Sequence, residues 1–375
     1  MADLRKSAAL IMQFIGYALV FLTVLAVSAY LLHPVLRGSV TYDLGMLDAK
    51  LAHYDAHKDE YDVLFIGSSL TLRQVDTPAL EAAMAKKSCK IKPYNLGIAA
   101  AKLEEIDYML DHVLAQKPDR LRLIVLSRPF SAPVKFGGVS DRARYFSDTE
   151  GTAQRFANIA NDVYQGPKQW VRYGVAAGFF GYEHLNIGLL SRIAFPDAFA
   201  ASATDTEVTP TNQWAIVDNG GFLSLDRELR EDKDLQKRID DFGYKAADFE
   251  QMLKKGQLPL KESDKTMPEI QRRGVLLADL ALKAEAQGID AGILLFPTPS
   301  AGFKNEYNIA QGFKDKAPDS PVFSAADPAQ YPQFWSSDVW FDQGHMNEKG
   351  ANELTAVLAD QMADYLCGTT NGKGK

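Results

Sequence analysis

Cysteine is nearly absent: the 375-residue chain has two, Cys89 and Cys367, and no Cys/His set stands at metal-ligand spacing. No glycine-rich loop of the kind that cradles phosphates follows a strand, and no dinucleotide fingerprint is present. Neither a metal nor an organic cofactor is therefore expected. A Lys/Arg stripe is also missing. The formal charge is −7, and residues 1–32 contribute +1 (Arg5 and Lys6 against Asp3), so the remainder carries −8. Such a surface excludes nonspecific attraction to phosphate backbones, and no nucleic-acid partner is expected. No internal repeat divides the chain. Cys89, between a first helix and a second strand, and Cys367, at the end of the last helix, could pair in an oxidising compartment if those elements meet; two free thiols are the alternative.

What the chain does have begins with one long apolar run. From Ala8 to Leu32 only Gln13, Thr23 and Ser28 are polar, and none is charged. As a helix this run is about 37 Å long, against about 30 Å for a hydrocarbon core. Arg5 and Lys6 ahead of it favour a cytoplasmic N-terminus and export of everything after it. A signal peptide cleaved at Val27-Ser28-Ala29 is the competing reading. The run exceeds a usual signal core, which favours an uncleaved single-pass anchor over residues 1–32 in the inner (cytoplasmic) membrane, with the rest extracytoplasmic. Residues 33–60 read as a polar stalk and short helix, with Leu47, Leu51 and Tyr54 at helical spacing.

Next comes an α/β pattern. Val63-Leu64-Phe65-Ile66, ending at Gly67, has the form of a buried parallel strand. Thr77-Pro78 starts a helix reaching about Lys87. A strand over 89–96, a helix over 102–116 and a strand over 121–126 follow, and their short connections imply right-handed crossovers and a parallel sheet. The pattern stops between Pro129 and Met267, where helices are expected over 157–173 and 232–255. It resumes with a helix over 268–287, the strand Ala291–Phe296, and a helix from Asn347, a good N-cap, to Leu366. One α/β domain over 61–366, interrupted by a large, mainly helical insertion at about 129–267, accounts for this, with 367–375 as a disordered tail.

Two constellations carry chemistry. Gly67-Ser68-Ser69 stands where a buried strand turns into a helix, the sheet edge at which open α/β folds bind ligands. A serine there needs a base to take its proton; the bland alternative is a turn cap. Asp342-Gln343-Gly344-His345 offers that base, since three residues of spacing in a tight loop bring a carboxylate beside the imidazole. Asn95-Leu96-Gly97 ends the second strand. Either Gly97 offers its N–H, with that of Ser69, to the oxyanion of a tetrahedral intermediate, or it merely ends a strand. Arg73, four residues past Ser69, either reaches the pocket or lies at a solvated helix start.

Phe65-Ile66-Gly67-Ser68-Ser69-Leu70, Asn95-Leu96-Gly97 and Phe341-Asp342-Gln343-Gly344-His345-Met346-Asn347-Glu348-Lys349-Gly350 together resemble the blocks of the SGNH (GDSL-like) hydrolase superfamily. The likeness is to its membrane-anchored branch, which includes the DltD-like proteins and polysaccharide O-acetyltransferases that work beside membrane-bound O-acyltransferases. It spans roughly residues 61–128 and 268–366. It implies a three-layer α/β/α fold with Ser69 as nucleophile, His345 as base, Asp342 as orienting acid and Gly97 as an oxyanion donor. Ser68 replaces the aspartate of the Gly-Asp-Ser form. Where the third block normally offers an asparagine, this chain has Leu126-Ser127-Arg128-Pro129; Ser127 or Arg128 could substitute, or Arg128 could bind an anionic sugar or pair with an acidic neighbour. In the insertion, Trp170, Phe179, Phe180, Tyr182, His184 and Trp214 either stack on sugar rings or a partner, or form the insertion's own core. Gly174–Ala201 is apolar enough to lie near a membrane or another protein.

The expected function is serine-dependent O-acyl transfer, most simply O-acetylation of a cell-surface or secreted polysaccharide. The acyl donor would be supplied across the membrane by a membrane-bound O-acyltransferase or similar protein, and anchoring would raise the effective concentration of the two. An esterase with the same triad, and a non-catalytic polysaccharide-binding scaffold, are the alternatives.

Overall fold

In the computed structural model, the described residues are 2–40, 42–129, 141–160, 167–195, 208–230, 236–237, 240, 246–299 and 302–368. They fall into two compact units. One comprises Met1–Leu44, Pro133–Phe156 and Trp170–Thr206; the other comprises Gly45–Ala132, Ala157–Gln169 and Glu207–Lys375. Along the chain the elements used below are α1 (Ala2–Gly38), α2 (Met46–His57), β1 (Val63–Ile66), α3 (Ser69–Gln74), α4 (Thr77–Lys86), β2 (Pro93–Asn95), α5 (Leu103–Ala115) and β3 (Leu123–Ser127). After them come α6 (Pro167–His184), α7 (Ile187–Ala194), α8 (Pro268–Glu285), β4 (Asp290–Leu295), α9 (Phe303–Lys316), β5 (Val322–Ser324) and α10 (Glu348–Cys367).

The larger unit is α/β, built on a five-stranded sheet in the order β2-β1-β3-β4-β5 with every pairing parallel. Its strands are apolar runs because both faces are covered. Val63, Phe65, Leu123, Val125, Leu294 and Phe323 share one core with Leu80 and Met84 of α4 and Leu354, Leu358 and Met362 of α10. Residues of the other parity, such as Leu64, Ile66, Ile124 and Ile293, are equally buried, and α5 and α8 pack against β1, β3 and β4. Helix α4 starts as its sequence suggests, with Asp76 accepting the Ala79 N–H at 2.9 Å and proline in the first turn.

Several boundaries differ from expectation. Helix α2 buries Leu47, Lys50, Leu51 and Tyr54 within the α/β unit, so the chain from Gly45 is part of that unit and not a stalk. The stretch read as an insertion is divided. Phe249 and Leu253 lie in the α/β core, whereas Trp170–Thr206 belongs with the N-terminal segment. The helix expected over 157–173 is observed as Thr149–Ala160 and α6; the later one is a helix over Ala246–Gly256, with most of 231–245 outside the described residues. The tail beyond Gly368 also lies outside them.

Cys89 and Cys367 form a disulfide, their Cα atoms 5.8 Å apart, fastening the end of α10 beside the chain that follows α4. The bond closes a loop with a sequence separation of 278 residues. Removing it by reduction or by Cys367→Ser is expected to lower unfolding stability by about 2–5 kcal/mol. Denaturant titration with and without reductant measures this.

The smaller unit contains the described chain's one helix long and apolar enough to cross a membrane, Leu10–Gly38 within α1. Three rings near its second half, Phe179, Phe180 and His184, are used internally. Phe179 is buried, Phe180 stacks on His184 at 3.9 Å, and His184 stacks on His33 at 4.6 Å. Trp170 is exposed. Trp214 lies instead in the α/β unit, under the Arg227 guanidinium at 4.6 Å.

Candidate active site

Strand β1 ends at the sheet's carboxyl edge, and the chain turns at Gly67 into α3. A side chain at Gly67 has no room: a Cβ there would lie 1.9 Å from Ser127 Oγ and 2.3 Å from Thr71 Oγ1. Those two hydroxyls are themselves hydrogen-bonded at 2.6 Å. Ser68 occupies the N-cap of α3 and donates to the Arg128 carbonyl at 3.3 Å. The turn is thereby fixed against β3, and Ser69, the first residue of α3, is left half-buried.

The candidate base lies in a hairpin in front of α10. Trp340 and Met346 form an isolated antiparallel bridge, and the His345 carbonyl accepts the Phe341 N–H at 2.9 Å. Inside this turn Asp342 Oδ1 accepts the backbone N–H groups of Gly344 and His345, both at 2.8 Å. The same carboxylate lies 3.0 and 3.1 Å from His345 Nδ1. A carboxylate only accepts, so Nδ1 carries the proton and Nε2 presents its lone pair. His345 Nε2 is 2.9 Å from Ser69 Oγ. Asn347 then caps α10, its Oδ1 accepting the Gly350 N–H at 2.9 Å. The Asp342–His345–Ser69 chain of hydrogen bonds has the geometry of a nucleophile, base and orienting acid.

The remaining site candidates have other occupations. The Gly97 N–H donates to Asn95 Oδ1 at 2.8 Å, while the Asn95 amide donates to the Thr71 and Val75 carbonyls at 2.7 and 3.0 Å. The expected oxyanion donor is thus engaged, because the buried Asn95 side chain is fixed with its oxygen toward Gly97. Glycine is needed there for close approach, since a Cβ would lie 2.6 Å from the Leu72 nitrogen. Ser127 is buried, its hydroxyl hydrogen-bonded to that of Thr71. Arg128 pairs with Glu306 at 3.5 Å. Burial raises the Glu306 pKa, against the pull of Arg128. Arg73 is buried, donating to the Leu223 carbonyl at 3.2 Å and pairing with Glu228 at 2.7 Å. From this buried position it braces α3. Ser69 keeps its N–H at the first turn of α3, where no carbonyl a turn earlier is available.

One residue of the site's frame escaped sequence reading. Lys50 is fully buried, and its Nζ donates to the carbonyls of Asn95, Gly97 and Gly221, each at 2.7 Å. Burial, with the Arg73 charge second, pulls its pKa well below the ordinary value. The three acceptors act the other way, because a neutral amine has only two N–H groups to offer them. The signal was present: Lys50 falls on the same helical stripe as Leu47, Leu51 and Tyr54. Lys50→Met keeps the bulk but leaves three buried carbonyls without this donor, each costing about 1–3 kcal/mol if nothing replaces it. The expected result is a lower unfolding midpoint and a turnover loss greater than the unfolded fraction explains. Parallel thermal melts and rate measurements separate the two.

No known family model matches the chain, and no curated protein sequence matches it.

Proposed function

We propose that this protein is an extracytoplasmic, serine-dependent O-acyltransferase of SGNH-like, three-layer α/β/α architecture, anchored in the inner membrane by α1. The observation that carries the reading is the hydrogen-bonded series Asp342–His345–Ser69 at the carboxyl edge of a parallel sheet. Ser69 Oγ attacks the acyl carbonyl as His345 Nε2 takes its proton, and Asp342 stabilises the imidazolium that results. The Ser69 N–H donates to the oxyanion. Collapse expels the donor's leaving group, protonated by His345, and leaves an ester on Ser69. A polysaccharide hydroxyl then gives its proton to His345 and takes the acyl group, most simply acetyl, as the Ser69 oxygen leaves and regains its proton from His345.

The compartment has independent support. The Cys89–Cys367 disulfide suits an oxidising environment. Retention of α1 is favoured because the candidate cleavage site is engaged: Ala29 is 6 % exposed, and its carbonyl accepts from Asn186 Nδ2 at 2.9 Å. An acyl donor made from cytoplasmic acetyl-CoA needs passage across the membrane, the role assigned to a membrane-bound O-acyltransferase or similar partner. Hydrolysis by the same triad is the second reading, favoured by the partial exposure of Ser69. The test is product partition from a small activated acetyl ester with and without an oligosaccharide acceptor. Acetylated sugar forming at the expense of free acetate supports transfer. Free acetate unaffected by any acceptor makes the protein an esterase.

A further inference from the structure

Helix α7 and its flanks present an apolar surface that the proposed chemistry does not use. Leu185, Ile187, Leu190, Ile193 and Phe195 are between 44 and 66 % exposed, and Ile187, Leu190 and Ile193 recur at a three-residue interval along one side. Gly188, across the helix, and Leu189 are buried. The one charge between 185 and 195, Arg192, is turned into the unit: Nη2 donates to Asp141 Oδ2 at 2.6 Å, and its guanidinium lies over the Tyr42 ring at 4.9 Å. The Ser191 hydroxyl is satisfied by the Ile187 carbonyl at 2.7 Å. The exposed side therefore offers no unmet charge that would favour water.

The level of this surface along α1 is fixed by Asn186, the residue before α7. Its side chain donates to the Ala29 carbonyl at 2.9 Å and meets His33 Nδ1 at 3.0 Å. Ala29 lies in the last turn of the apolar run, where Tyr30, Leu31 and Leu32 are also exposed, at 53–78 %. A 25-residue run exceeds the about 20 residues needed to span the hydrocarbon, so its last turn belongs at the boundary between acyl chains and headgroups. Toward the far end of α1 the unit becomes polar: Arg37 donates to the Tyr145 carbonyl at 3.0 Å and pairs with Asp148 at 3.6 Å.

We infer that α7 lies in the plane of the bilayer surface, its Leu185–Phe195 apolar side embedded at the acyl–headgroup boundary as a second attachment beside α1. This rests on the reading of α1 as a retained membrane span. It would restrict the tilt of the smaller unit about its anchor, which a single helix leaves free.

Site-directed spin labelling of the full-length protein in phosphatidylethanolamine–phosphatidylglycerol vesicles tests the inference. The two native cysteines are paired, so a nitroxide goes only to an introduced thiol. Labels at Leu190→Cys and Ile193→Cys are compared with Leu25→Cys inside the span and Asp315→Cys on the α/β surface. The expected oxygen-to-nickel-chelate accessibility ratio at 190 and 193 exceeds that at 315 several-fold and approaches that at 25. Lipid values at 25 with water values at 190 and 193 overturn the inference and leave the span reading intact. Labels at 190 and 193 shielded from both reagents also overturn it, assigning the surface to a protein partner. Water values at 25 reject the span, and the inference with it.

Discussion

Ser69→Ala is expected to lower acyl turnover by about 10⁴-fold or more while leaving the fold intact. Knockouts of a triad nucleophile cost on that order or more, and what remains comes from binding and oxyanion donors. The fold should tolerate the change because the Ser69 hydroxyl contributes only the 2.9 Å bond to His345. The turn is held elsewhere, by Ser68 on the Arg128 carbonyl and by Thr71 on Ser127. Kinetics with a chromogenic acetyl ester, alongside a thermal melt, measure both halves. A melt unchanged within error with turnover near background is the expected pair of results.

Asp342→Asn is the second large effect, expected at about 10⁴-fold in kcat. Asp342 has two duties that this substitution separates. Its Oδ1 closes the turn by accepting from Gly344 and His345, and an asparagine oxygen can do the same. Its carboxylate also receives the His345 Nδ1 proton. An asparagine with its oxygen held by the turn presents NH₂ to Nδ1, which stabilises the tautomer with the proton on Nε2. That nitrogen then cannot accept from Ser69. Asp342→Ala removes both duties, so it should lose comparable activity and in addition about 1–2 kcal/mol of stability, the scale of a lost turn or cap bond. Activity lost equally by both variants, with stability lost only by the alanine, is the pattern that identifies an orienting acid.

How much of this was legible in the sequence follows from how local each signal is. Strands β1, β3 and β4 were readable because Val63–Ile66, Leu123–Leu126 and Ala291–Leu295 are short apolar runs buried on both faces. Strand β5 has three residues, the outer two only half-buried, and offered no such run. The Asp342–His345 contact was readable because it is made within one turn. Its meeting with Ser69, 276 residues away, followed only from the expectation that both turns sit at the same sheet edge.

The surroundings of the other candidate residues depend on distant partners or on orientation. The partners of Ser127 and Arg128, Thr71 and Glu306, are distant from them in sequence. Gly97 ends β2 as expected, yet no strand pattern tells which way Asn95 turns its amide. Lys50 broke an apolar stripe, and a lysine at such a position is usually solvated; here three carbonyls from two separate loops make a site for it.

Ser69 is the residue proposed to carry the acyl group. The most direct measurement is mass spectrometry of the full-length protein after brief exposure to a small activated acetyl ester, followed by peptide mapping and a parallel run of Ser69→Ala. A single acetyl adduct is expected on the peptide containing Ser69, absent from the alanine variant and discharged when an oligosaccharide acceptor is added. A well-folded protein that forms no adduct and turns over no ester, or one acetylated equally with Ser69 replaced, would contradict that role.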